Sequence, residues 1–187
     1  MEPRFPIDQS PDPAVKEMIE EALVTMHGGP PPFQWVEGDG QSLIGCYAPL
    51  SHTPAVAKEF FIMGRIVYTP TSVKPRNREL AILGLSSVLN VPYIVYCHRA
   101  VAPHVGLTPE QYEEGLAGKV PSGLSEEEST AYQLGRTLTT LTGPLGEKDW
   151  QDATSKMTKQ EFLGIVHTIA GYRWVALLEH VSGGDQT

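Results

Sequence analysis

Three residues in the middle of the chain carry side chains that could do chemistry together: Glu79, in "RNRELAILGL", and the adjoining Cys97 and His98, in "NVPYIVYCHRAVAPHVGL". Histidine gives and takes protons near neutral pH, and a carboxylate beside it holds one tautomer and favours its charged form. A thiol becomes a nucleophile when an imidazole faces the same site. Each residue also has an ordinary structural reading. An acid in the first turn of a helix is favoured by the macrodipole and by unpaired N–H groups. His98, with apolar Ile94, Val95, Val101 and Ala102 around it, can equally be a satisfied core residue, and Cys97 a small hydrophobe.

The sharper alternative for Glu79 rests on the nearly all apolar residues that follow it. They would carry the carboxylate into a water-poor space, where desolvation raises its pKa and suits it to acid–base work. Tyr93, Cys97 and Val101 share one helix face, whereas the adjacent Cys97 and His98 point about 100° apart. Tyr93, Tyr96 and Arg99 are the candidate substrate contacts on this segment, and Cys46, in "LIGCYAPL", is assigned to packing. No metal site is expected. Cys97, His98 and His104 are close in sequence, but Pro103 disturbs their helix and no HxxxH, HxxE or CxxC spacing occurs. His27, His52, His167 and His180 are scattered, and GxGxxG, GxxxxGK and GxSxG motifs are absent.

The elements that must hold these residues read as helices. Asp12 and Pro13 open the first, which Gly28 and Gly29 stop, and a Pro- and Gly-rich loop follows to Gly45. A second helix starts around Thr53 and Pro54, runs to about Tyr68 and is ended by Pro70. "KPRNRELAILGLSSVLN" is apolar or small on every side from Leu80 to Leu89, the pattern of a helix enclosed by others. The segment after Pro92 is a second central helix, weakened by Pro103 and ended near Gly106. Since only a short Pro-containing turn joins these two, they should pack antiparallel, with contact between Glu79 and His98 left open. "TPEQYEEGLAG", "SEEESTAYQLGRTLTTL", "GEKDWQDATSKM" and "TKQEFLGIVHTIAGYRWVALLEHV" supply four more. The total is an all-α bundle of about eight helices.

The 187 residues fit one domain, 1–187, with residues 1–45 as an N-terminal helix and loop and 46–187 as the core. A net charge of -8 with 14 dispersed Lys and Arg argues against nucleic acid as a partner. No stretch approaches the roughly 20 apolar residues of a membrane span, and the start lacks the apolar core of a secretory leader. The expectation is a cytoplasmic protein with Cys46 and Cys97 as free thiols, on segments with no evident reason to meet.

From "LSHTPAVAKEFFIMGRIV" through "RNRELAILGLSSVLNVPY" and "YIVYCHRAVAPHVGLTPEQ" to "FLGIVHTIAGYRWVALLEHVSG", the chain resembles the carboxymuconolactone decarboxylase and alkylhydroperoxidase D-like family. That resemblance implies a helical fold assembled into trimers or hexamers, with sites near subunit contacts. It matches Glu79 to the family's buried glutamate and His98 to its helix histidine. The redox branch's CxxCxxxH would put thiols at Val91 and Ile94, both aliphatic here. The decarboxylase-like branch's YEWxHH becomes Tyr93, Ile94, Val95, Tyr96, Cys97, His98. The expected function is a cofactor-free lyase or isomerase in which His98 and Glu79 move protons on a small enolisable acid, lactone or polyketide-like molecule. Tyr93, Tyr96 and Cys97 would shape the pocket. A thiol-dependent peroxidase working through Cys97 and a catalytically silent oligomeric binding protein are the alternatives.

Overall fold

The computed structural model describes residues 4–5, 12–38, 40, 42–68 and 73–182. These form an all-α bundle of nine α-helices, with no strand beyond an isolated Val36–Leu43 bridge. α1 is Pro13–His27, α2 Tyr47–Ser51, α3 Pro54–Val67, α4 Pro75–Leu89, α5 Pro92–Val101, α6 Pro109–Leu116, α7 Glu126–Thr140, α8 Glu147–Lys156 and α9 Lys159–Ser182.

The ends follow from local chemistry. Asp12 accepts the Ala14 N–H at 2.9 Å, and Gly28, at φ 68°, closes α1 in the left-handed conformation. Thr108 with Gln111, and Ser125 with Glu128, form reciprocal capping boxes on α6 and α7. Pro103 lacks the N–H that would continue α5, so the chain tightens into a 3-10 turn over Ala102–Val105 before Gly106. The one unexpected helix is α2. Its five residues are too few to show a periodicity, and it is held by tertiary burial of Tyr47, Ala48, Pro49 and Leu50. The expected stop of α3 at Pro70 lies outside the described residues.

α4 is the central element. Leu80, Ala81, Ile82 and Leu85 have no exposed surface, which explains why its sequence shows no polar face. It lies close against α7 because Gly84 and Gly135 bring the two backbones together: a Cβ on Gly135 would stand 2.1 Å from the Ala81 carbonyl oxygen. The core has two clusters. One gathers α1, α2, α3, the start of α5 and the end of α9; the other packs α4, α6, α7, α8 and the first part of α9. No helix among the described residues is long and apolar enough to cross a membrane.

Candidate active site

Carboxylates from other helices anchor the start of α4. Glu161 of α9 accepts the Lys74 N–H at 2.9 and 3.1 Å, and Asn77 donates to Glu161 at 2.9 Å and to Glu127 at 2.7 Å. With α4 beginning at Pro75, Glu79 is its fifth residue, past the first turn, so service to unpaired N–H groups does not explain it. Asn90, at φ 38°, reverses the chain, and Pro92 opens α5 two residues later. α5 folds back over α4 and places His98 against Glu79.

The contact that the sequence left open is made. His98 Nδ1 lies 2.6 Å from Glu79 Oε2, and the two side chains are 6% and 1% exposed. Arg78 donates from Nε to Glu79 Oε1 at 3.3 Å and from Nη1 to the Tyr68 carbonyl at 3.0 Å, with its guanidinium 3.9 Å over the Tyr68 ring centroid. Burial pushes the Glu79 carboxyl up, but His98 and Arg78 outweigh it and hold the group below the ordinary carboxylate range. This corrects the expectation of a raised pKa: desolvation acts as foreseen, and two partners overcome it. An ionised carboxylate only accepts, so the proton of the short contact sits on Nδ1, leaving Nε2 as the free ring nitrogen.

His98 forms part of the wall of a cavity of about 100 Å3 between α1, α3, α5 and α9. Most of the wall is apolar or aromatic, including Leu23, Met26, Phe33, Phe60, Phe61 and Val175. Beside His98, the Tyr172 ring stands edge-on at 4.9 Å, and its hydroxyl lies 2.7 Å from that of Tyr68. Burial is the main reason both phenols are pushed well above their ordinary pKa, so they stay protonated. His27 also faces the cavity, where burial lowers its pKa to about 4 and keeps it neutral. A chain scan against protein-family models, curated proteins and solved structures finds no match.

The remaining candidates divide. Tyr93 and Cys97 reach the cavity wall, and so does Cys46, which the sequence assigned to packing alone. Both cysteines are buried and free, and two segments with no evident reason to meet do meet here. Burial pushes the Cys97 thiol up to about 12, despite a hydrogen bond with Tyr93 that acts the other way. Tyr96 and Arg99 sit on the outward side of α5. The Tyr96 hydroxyl accepts the Gln34 N–H at 3.1 Å, while Arg99 pairs with Glu113 and lies 5.1 Å over the Tyr112 ring. Neither is on the cavity wall.

Four site residues escaped the sequence reading. Arg78 could have been suspected as a cation next to Glu79. Tyr68 and Tyr172 are 104 positions apart and His27 is on the first helix, so no local spacing signals them. Among the described residues no cluster of three or more His, Cys, Asp or Glu is arranged to hold a metal ion.

Proposed function

We propose that the protein is a cofactor-independent lyase or isomerase of the carboxymuconolactone decarboxylase-like kind, moving protons on a small enolisable molecule through His98. One observation carries this reading: a buried Glu79, held ionised, bound at 2.6 Å to the Nδ1 of a histidine that forms part of the wall of a mostly apolar cavity. Glu79 orients the ring and stabilises the imidazolium that forms when Nε2 takes a proton. Arg78 keeps Glu79 ionised, and the apolar wall keeps water from competing for the proton.

The thiol-peroxidase alternative needs a thiolate, and a Cys97 thiol pushed up to about 12 is protonated at neutral pH. A silent binding protein has no use for an ion pair buried this deeply beside a cavity, since such pairs add little stability for their desolvation. The protein would act as a homo-oligomer on a small molecule, without nucleic acid or membrane.

Deuterium uptake tests the reading. Small enolisable ketones and lactones incubated with the protein in D2O should lose their α-proton signals, and His98→Ala should abolish the effect. Equal exchange by wild type and variant across the panel would sink the assignment.

A further inference from the structure

The cavity's charge and polarity narrow its ligand. None of its lining residues is a Lys or Arg, and the residues outside the description include no Lys or Arg either. Arg78, whose guanidinium lies over the Tyr68 ring of the wall, is already committed to Glu79 and Tyr68. His27 adds no positive charge at neutral pH. A carboxylate entering here would lose its water and meet no Lys or Arg, only imidazoles, next to an ionised Glu79. Burying an unpaired charge costs far more than burying a hydrogen-bonded neutral group.

Among the polar groups of the wall is one close pair of hydroxyls. Tyr68 and Tyr172 bring two hydroxyl protons to a contact 2.7 Å long, which uses one of them. The other is left for an acceptor. It sits on one of these two hydroxyls, and the Tyr172 ring that carries one of them stands edge-on to the His98 ring at 4.9 Å. A base next to a hydroxyl donor is the arrangement that enolisation requires: one takes the α-proton, and the other meets charge as it develops on oxygen. The inner space of about 100 Å3 is smaller than the apolar cavity of about 150 Å3 that holds benzene, and the pocket is open on one side, so a ligand of at most about one ring fits.

We infer that the cavity takes an uncharged, unsaturated carbonyl compound of about one ring, with its oxygen on the Tyr68–Tyr172 hydroxyl pair, and that the reaction is a proton shift rather than loss of CO2. The inference deepens the proton-transfer reading of His98 and rests on it for the chemical step. Nε2 takes a proton from the carbon beside the carbonyl. The C–H electron pair becomes a carbon–carbon double bond, and the carbonyl π pair moves onto oxygen, where the tyrosine hydrogen bond meets it. The imidazolium then returns the proton to the far end of the conjugated system. Atoms and charge balance, and no oxidant or reductant is consumed.

The test compares three probes of one shape by calorimetry and saturation-transfer NMR on the intact protein: acetophenone, benzoate and ethylbenzene. Acetophenone should bind about tenfold or more tighter than benzoate. Tyr172→Phe and Tyr68→Phe should each weaken acetophenone about three- to tenfold and leave ethylbenzene unchanged. The two variants are independent, so misfolding of one, read from its helical spectrum, leaves the other to decide. Benzoate binding as tightly as acetophenone overturns the inference, as does no measurable acetophenone binding, or loss of neither ligand's affinity in a folded tyrosine variant. His98→Gln separates the two claims. If it binds acetophenone normally and still exchanges the ketone's methyl protons as fast as wild type, the proton-transfer reading fails and the inferred proton shift with it, while the ligand preference stands.

Discussion

Burial alone would neutralise Glu79, yet it stays ionised because two cationic or proton-donating neighbours, His98 and Arg78, sit on its two oxygens. Removing a general acid or base costs about a hundredfold to ten-thousandfold in rate. His98→Ala should therefore lose most turnover with the helical spectrum intact, Glu79→Gln should lose less, and Cys97→Ala least. A Cys97→Ala variant slower than His98→Ala would move the thiol to the centre of the mechanism. Arg78→Met should let the Glu79 pKa rise, so the acid limb of the rate profile should shift to higher pH; an unmoved limb would argue that Arg78 only packs on Tyr68. A second buried carboxylate behaves in the opposite sense. Burial raises Glu179 to about 7, even though it accepts the Cys46 backbone N–H, and its Oε1 has no partner. The folded protein holds this proton more tightly than the unfolded chain does. Its contribution to stability is therefore full below about pH 4.5 and is lost as pH rises to about 7. Glu179→Gln should gain on wild type across that window, reaching about 2–3 kcal/mol in urea unfolding at pH 8. No growth in the difference between pH 5 and pH 8 would contradict the assignment.

At the scale of elements, the site depends on how closely α4 lies to α7. A Cβ at Gly84 would stand 2.3 Å from the Tyr132 carbonyl oxygen, and one at Gly135 is opposed by Ala81 backbone, so neither contact can relax by turning a side chain. Gly135→Ala should cost about 1–3 kcal/mol or more, seen as a lower urea midpoint with an unchanged slope. Gly171 on α9 is the contrast. It also forms part of the cavity wall, but a Cβ there meets nothing within 4 Å. Gly171→Ala should be neutral or stabilise by up to about 1 kcal/mol through helix propensity. If both changes destabilise equally, the close approach of α4 and α7 is not what the glycines serve.

Across the whole molecule, apolar side chains remain uncovered along two helices that touch. Val56, Met63 and Ile66 on α3 are 52%, 47% and 62% exposed, and Leu163, Leu177 and Val181 on α9 are 52%, 58% and 41% exposed. Met63 also forms part of the cavity wall, so a second copy covering this face would close over the site. We expect a homo-oligomer at micromolar concentration by light scattering, and Ile66→Asp combined with Leu177→Asp should reduce it to monomers. A stable wild-type monomer would refute the expectation.

The order and ends of eight helices were legible in the sequence because caps, prolines and left-handed glycines act within a few residues, as at Asp12, Pro54, Ser125 and Gly106. The five-residue α2 was not, since burial rather than pattern maintains it. Glu79 and His98 stood out by residue type and by the turn between their helices. Their 2.6 Å contact, the charge Glu79 keeps, the raised pKa of the Cys97 thiol and the meeting of Tyr68 with Tyr172 were decided only by the tertiary structure. Protonation and hydrogen bonding at a buried site depend on neighbours in space, and those come from α1, α3, α4, α5 and α9, whose positions no local stretch of sequence encodes.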